Sequence, residues 1–177
     1  MMNFLRTNKY AAMLLTLLRL YVGYEWLTAG WHKLTGPKAF DAAGFLKNAI
    51  AKPVLETGTT DALYPTYVAF LKNFALPNVD IFNVVVPWGE LLIGLGLILG
   101  CLTTAAMFFG MMMNLMFMLA GTVSTNPWLF FLGTFIIVAG ANAGKFGVDY
   151  AALPYLHKVF DKVRDRFFHR PKGRLTH

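Results

Sequence analysis

Three ionisable side chains lie in stretches of this chain that are otherwise apolar enough to cross a membrane. Arg19 and Glu25 fall in the first stretch. Glu90 falls in the second, within Val84-Val-Val-Pro-Trp-Gly-Glu-Leu-Leu-Ile-Gly-Leu-Gly-Leu-Ile-Leu-Gly100. A charge in hydrocarbon costs at least about 2–3 kcal/mol unless it is paired, protonated or turned to water. Residues of these types at such positions can relay protons through the carboxylates and donate hydrogen bonds from the guanidinium.

The elements that must position them are long helices. Of 177 residues, 56% are hydrophobic and 14% charged, against about a quarter charged in a soluble domain of this size. The apolar residues gather into four stretches of about 10–31, 80–102, 103–121 and 127–143. The first, second and third each approach the ~20 residues that a helical span requires. Asp80 follows Pro77-Asn78 as an N-cap, Asn126-Pro127-Trp128 starts the fourth span, and Gly144-Lys145 ends it. Pro87 is expected to bend the second span one turn before Glu90. The fold class is therefore all-α: an integral membrane four-helix bundle, one domain over 1–157, followed by a basic cytoplasmic tail over 158–177. The connection of residues 32–79 is too long to be structureless. Apolar residues at helical spacing in Phe40–Ala51 and Tyr64–Ala75 predict short helices that lie on the outer surface or cap the bundle.

Charge sets the direction. Arg6 and Lys9 precede the first span, and seven of the sixteen Lys and Arg lie between Lys158 and Arg174. An even number of spans places both termini on one side, the cytoplasmic side of the cell membrane, with the tail against anionic lipid. No nucleic-acid recognition fold accompanies that charge, so nucleic-acid binding is set aside. The first apolar stretch carries Arg19 and Glu25 and lacks a clean cleavage site, so it is expected to remain in the protein.

Position along a span converts to depth at about 1.5 Å per residue. Counted this way, Arg19 and Glu90 come to the same mid-membrane level on antiparallel neighbours, which predicts an Arg19–Glu90 pair. Glu25 is about 9 Å nearer the outside, and Asn114 reaches a similar depth from the third span. Around the helix, Arg19, Gly23, Trp26, Gly30 and Lys33 share one stripe that is expected to face the second helix. Glu25, Thr28, Ala29 and His32 share another, about 120° away. Together they outline an outward-opening polar pocket with Tyr21, Tyr24, Trp26, Trp31 and Trp88 around it. A purely structural role for the buried pair, and interfacial anchoring for His32 and Lys33, are the competing readings.

Other signals carry less. The single cysteine, Cys101, excludes an intrachain disulfide, a CxxC pair and an all-cysteine metal site. The methionines of Met107–Met118 point all around their helix without Cys or His, so they read as apolar filler rather than copper ligands. Gly96-x-x-x-Gly100 and Gly140-x-x-x-Gly144 allow close helix approach. No metal or flavin motif is present.

The chain resembles the DoxX/DoxD family. The likeness rests on Arg19-Leu-x-x-Gly23, Ala29-Gly30-x-x-Lys33-Leu34, Gly89-Glu90-x-x-x-Gly94-x-x-Leu97-x-x-Gly100 and Ala139-Gly140-Ala-x-x-Gly144-x-x-x-x-Asp149, in that order over residues 10–155. The resemblance implies a small four-helix membrane protein and, through the DoxD-like branch, the membrane subunit of a thiosulfate:quinone oxidoreductase. Arg19, Lys33, Glu90 and Asp149 fall on the family's recurring polar positions, while a serine usual near Gly144 is replaced here. On this reading a quinone is the cofactor, Arg19, Glu25 and Glu90 carry the chemistry, and Trp26, His32, Lys33, Trp88 and Asn114 bind substrate. Thiosulfate or another small reductant, or a partner redox subunit, supplies electrons, and self-association is compatible with it. The alternative is a non-enzymatic scaffold or small-solute carrier locked by the Arg–Glu pair.

Overall fold

Asn8 starts the first long helix. Its side-chain oxygen accepts from the N–H groups of Tyr10 at 2.8 Å and Ala11 at 3.2 Å, satisfying two donors that a helix start leaves open. In the computed structural model, which describes residues 2–151 with 154 and 155, every regular element is helical apart from an isolated bridge between Leu55 and Ala62. The basic tail expected over 158–177 lies outside the described residues. A short α1 (Met2–Thr7), not anticipated from the sequence, precedes α2 (Lys9–Thr35). The long connection after α2, whose end of the molecule is labelled outer and the opposite end inner, holds α3 (Ala43–Ala51) and α4 (Pro65–Phe70), the latter running into a π-helical turn over Leu71–Ala75. Then come α5 (Val79–Leu99), α6 (Thr103–Leu119) and α7 (Asn126–Ala139), which continues as a 3₁₀ turn over Gly140–Gly144.

The four long helices close on themselves: α2 packs on α5, α5 on α6, α6 on α7, and α7 on α2. Val79–Leu99 and Asn126–Gly144 are each long and apolar enough to cross a membrane. Helix α6 is apolar but only 17 residues long. Helix α2 has 27 residues and carries Arg19, Glu25 and Lys33 along its length.

Glycine fixes the register of α2 on α5. A Cβ added at Gly30 would meet the backbone of Leu91 and Pro87, one at Gly94 would meet the backbone of Leu27, and one at Gly23 would meet Leu97 and Ile98. The two backbones therefore touch along the stripe expected to face the second helix. They do so with an offset that equal-depth counting does not contain. Arg19 falls opposite the inner end of α5, where its Nη1 occupies the space beside Gly100 and Gly147 and its Nη2 donates to the carbonyl of Phe146 at 3.2 Å. The two turns of α2 before Arg19 run past the end of α5 and join α1, α7 and the 3₁₀ turn. Asn142 donates there to the carbonyls of Leu5 at 2.8 Å and Asn8 at 3.1 Å.

The inner half is solid. Leu15, Val22, Leu97, Met107, Ile136, Ala139 and Ala143 are buried in one cluster. A second, smaller cluster joins Ala42, Leu46, Ala49, Leu71 and Ala75 of the outer connection to Ala120 at the end of α6. The connection is thus a cap. It is tied down where the N–H of Ala42 donates to Asn83 Oδ1 at 2.7 Å and the Tyr67 hydroxyl donates to the carbonyl of Met116 at 2.8 Å.

Candidate functional site

Between the cap and the solid inner half lies a cavity of about 620 Å³. That volume is typical of small-molecule sites, which hold roughly 300–1,000 Å³. Its walls are largely apolar and aromatic. Phe40, Phe45 and Tyr67 come from the cap, Phe82 from α5 and Phe117 from α6, with Met112, Met113 and Met116 as flexible packing. An open groove past Gly36, Pro37 and Lys38 shares Ala29, His32, Lys33 and Phe40 with the cavity wall, so these four residues divide the interior from the outer surface.

Charge enters this apolar space as a pair. Lys33 Nζ donates to Glu90 Oε2 at 2.6 Å, the single ion pair among the described residues. Glu90 is 2% exposed, whereas the Lys33 side chain is 29% exposed and its ammonium lies 5.8 Å from the centroid of the Phe40 ring. The glycine register makes this pair. Gly30 rests on Leu91, so the residue one turn further along α2 meets the residue beside Leu91 on α5. The expected Arg19–Glu90 pair is not formed. Equal depth counted from the span ends requires two helices that begin at the same level, and α2 extends inward past α5.

Among the described residues, four hold buried polar atoms without partners: Arg19 and Thr103 away from the cavity, and Trp26 and Asn114 on it. Trp26 is 3% exposed with Nε1 unbonded, and Asn114 is 0% exposed with both Oδ1 and Nδ2 unbonded. Both residues line the cavity. A Cβ at Gly110 would lie 3.3 Å from Trp26 Nε1, and Asn114 follows Gly110 by one turn of α6, so indole and amide address the same region. Buried polar groups are paired in the great majority of proteins, and two orphans in one cavity call for a ligand or water.

Of the residues singled out from the sequence, Glu25, Trp26, His32, Lys33, Glu90 and Asn114 come together around the cavity. Glu25 is partly exposed and has no ion-pair partner among the described residues. Trp88 does not join them. It is 50% exposed, because two residues along a helix is about 200° of rotation and Glu90 turns inward. Tyr21, Tyr24 and Trp31 likewise point outward. Arg19 belongs to a separate inner cluster. There Asp149 accepts from the N–H groups of Leu102 at 2.6 Å and Thr103 at 2.8 Å, capping α6 from a distant part of the chain. The aromatic lining from the cap is not legible in the sequence as part of the site. Helical spacing revealed its helices, but only the fold shows them closing over α2 and α5.

The DoxX family matches residues 14–123, which run from the first turns of α2 to just beyond α6 and include every ionisable residue of the cavity. No curated protein and no solved structure matches the chain.

Proposed function

The chain belongs to the DoxX family of membrane proteins, and from that premise we propose that it is the membrane subunit of a quinone-linked oxidoreductase, with the capped cavity as its quinone site. On this reading α2, α5, α6 and α7 all cross the cell membrane, the cap lies outside, and both termini are cytoplasmic, as the basic residues of the ends favour.

The observation that carries the reading is the pairing of orphaned polar groups with an aromatic cavity beside a buried ion pair. Trp26 Nε1 and the Asn114 amide are the groups free to hydrogen-bond the oxygens of a ring. Phe40, Phe45, Phe82 and Phe117 offer the apolar faces against which a ring packs. A benzoquinone-type ring, when bound, supplies a two-electron, two-proton couple. Lys33 holds an exchangeable proton at Nζ, within hydrogen-bond reach of Glu90, and its partial exposure lets it regain that proton from the outer groove. Glu25 is a second acid on the same wall, and His32 stands where wall meets groove. Electrons come from a small reductant such as thiosulfate admitted by the same groove, whose Lys33, Lys38 and His32 suit an anion, or from a partner redox subunit.

The test is turnover of a short-chain benzoquinone by the purified protein with thiosulfate and other small reductants. Loss of turnover in Glu90→Gln with retained thermal stability supports the reading. If no reductant sustains turnover and no ring compound copurifies or binds, the oxidoreductase assignment fails.

A further inference from the structure

We propose that Trp26 and Asn114 form a recognition site for a ring hydroxyl, so that the cavity holds the reduced, hydroxyl-bearing form of its ring ligand more tightly than the oxidised, carbonyl form. This rests on the quinone reading above and adds a direction to it.

The argument is one of donors and acceptors. Trp26 Nε1 is a donor only and is satisfied equally by a carbonyl or a hydroxyl oxygen. Asn114 is different, because it brings a donor and an acceptor, and both are without partners at 0% exposure. Turning the amide over exchanges the two atoms without changing that inventory. The oxygens of an oxidised ring only accept, so they pair with Nδ2 and leave the buried carbonyl of Asn114 unsatisfied. A ring hydroxyl accepts from one group and donates to the other. A site built around a hydroxyl discriminates strongly against an analogue without it, because the site's own buried acceptor then goes unpaired. Gly110 supports the arrangement, since a Cβ there would crowd Trp26 Nε1 at 3.3 Å and Met107 at 3.3 Å. Of the other polar side chains on the cavity, Glu90 is held by Lys33, Thr28 donates to the carbonyl of Tyr24 at 2.9 Å, and Glu25 is partly exposed rather than buried.

The expected preference is about tenfold or more, the scale of one buried acceptor left unpaired. Tighter binding of the reduced form raises the reduction potential of the bound couple, by about 30 mV for each tenfold in affinity of a two-electron couple. The bound ring is thereby a better oxidant than the free one.

The test is anaerobic titration of the full chain in detergent with a short-chain benzoquinone and its matching hydroquinone, read by calorimetry and by tryptophan fluorescence. Hydroquinone should bind about tenfold or more tightly. Asn114→Leu should bring the two affinities within twofold, while thermal stability is retained or raised because two unpaired polar atoms leave the core. Trp26→Phe should weaken both forms alike and keep their ratio, which provides a second variant should Asn114→Leu fold poorly. Equal affinities in the wild-type protein overturn this inference and leave the quinone site standing. An unchanged ratio in Asn114→Leu also overturns it, assigning Asn114 to water. Binding of neither form removes the quinone site itself, and this inference with it.

Discussion

Gly30 of α2 lies against the backbone nitrogen of Leu91 in α5, so closely that an added Cβ would sit 2.5 Å from it. The contact is backbone to backbone and cannot be relieved by moving a flexible side chain. It also decides which cation reaches Glu90, because Lys33 stands one turn further along α2.

Gly30→Ala should therefore destabilise the protein by about 2 kcal/mol or more, at the upper part of the range for overpacking. Gly44→Ala, where a Cβ meets open space, is the matched control and should leave stability within about 0.5 kcal/mol. Thermal unfolding in detergent reads both. Equal stability of the two variants would show that α2 and α5 do not touch at Gly30.

Removing one partner of the ion pair strands the other. Lys33→Met leaves the Glu90 carboxylate buried without its cation, at a cost of about 3 kcal/mol, the low end for buried pairs since Lys33 is partly exposed. In a double-mutant cycle Lys33→Met and Glu90→Gln should couple by at least about 1 kcal/mol. Arg19→Met and Glu90→Gln should add within about 0.5 kcal/mol, as separated sites do. Coupling of Arg19 to Glu90 as large as that of Lys33 would restore the pairing suggested by depth and refute the register.

Asp149 caps α6 through two backbone donors. Asp149→Ala should cost about 2 kcal/mol and open the α5–α6 turn, seen as faster hydrogen exchange at Leu102 and Thr103. Unchanged protection at those two amides would rule out the cap.

Burial at the cap pushes the Tyr67 hydroxyl from its ordinary value near 10 up to about 12. The fold favours the neutral phenol, so this group's contribution to stability is complete below pH 10 and is lost as pH rises through about 12. Tyr67→Phe should lose about 1 kcal/mol at neutral pH with the hydrogen bond to Met116, and should lack this group's share of the alkaline loss. Parallel stability curves for the two proteins between pH 9 and 12 would contradict that origin.

Much of this site is visible in the sequence, and the part that is not has a definite cause. Hydropathy and helix signals place α2, α5, α6, α7 and the cap helices within a few residues of where they lie. Helical angles along α2, with depth along α5 and α6, point Glu25, Trp26, His32, Lys33, Glu90 and Asn114 toward one polar pocket. The partner of Glu90 is not legible in either helix alone, because register is a property of two helices packed together. Gly23, Gly30 and Gly94 encode it, but only through a contact that neither helix shows alone. Trp88 stands two residues before Glu90, about 200° around the helix, and cannot face inward on a helix that turns Glu90 inward. The Asp149 cap joins residues 46 positions and more apart, beyond the reach of local pattern.

The packing of the inner half has a consequence for how such a molecule would exchange with its surroundings. Val22, Leu97, Met107 and Ile136, all fully buried, close the space beneath the cavity, and Arg19 plugs the level below. The groove past Gly36, Pro37 and Lys38 adjoins the cavity on the opposite side. A proton that Lys33 takes up from that groove is drawn from the groove's own face. Under the proposed function, turnover in this subunit would acidify or alkalinise one compartment only, and any charge separation across the bilayer would have to be made by another protein.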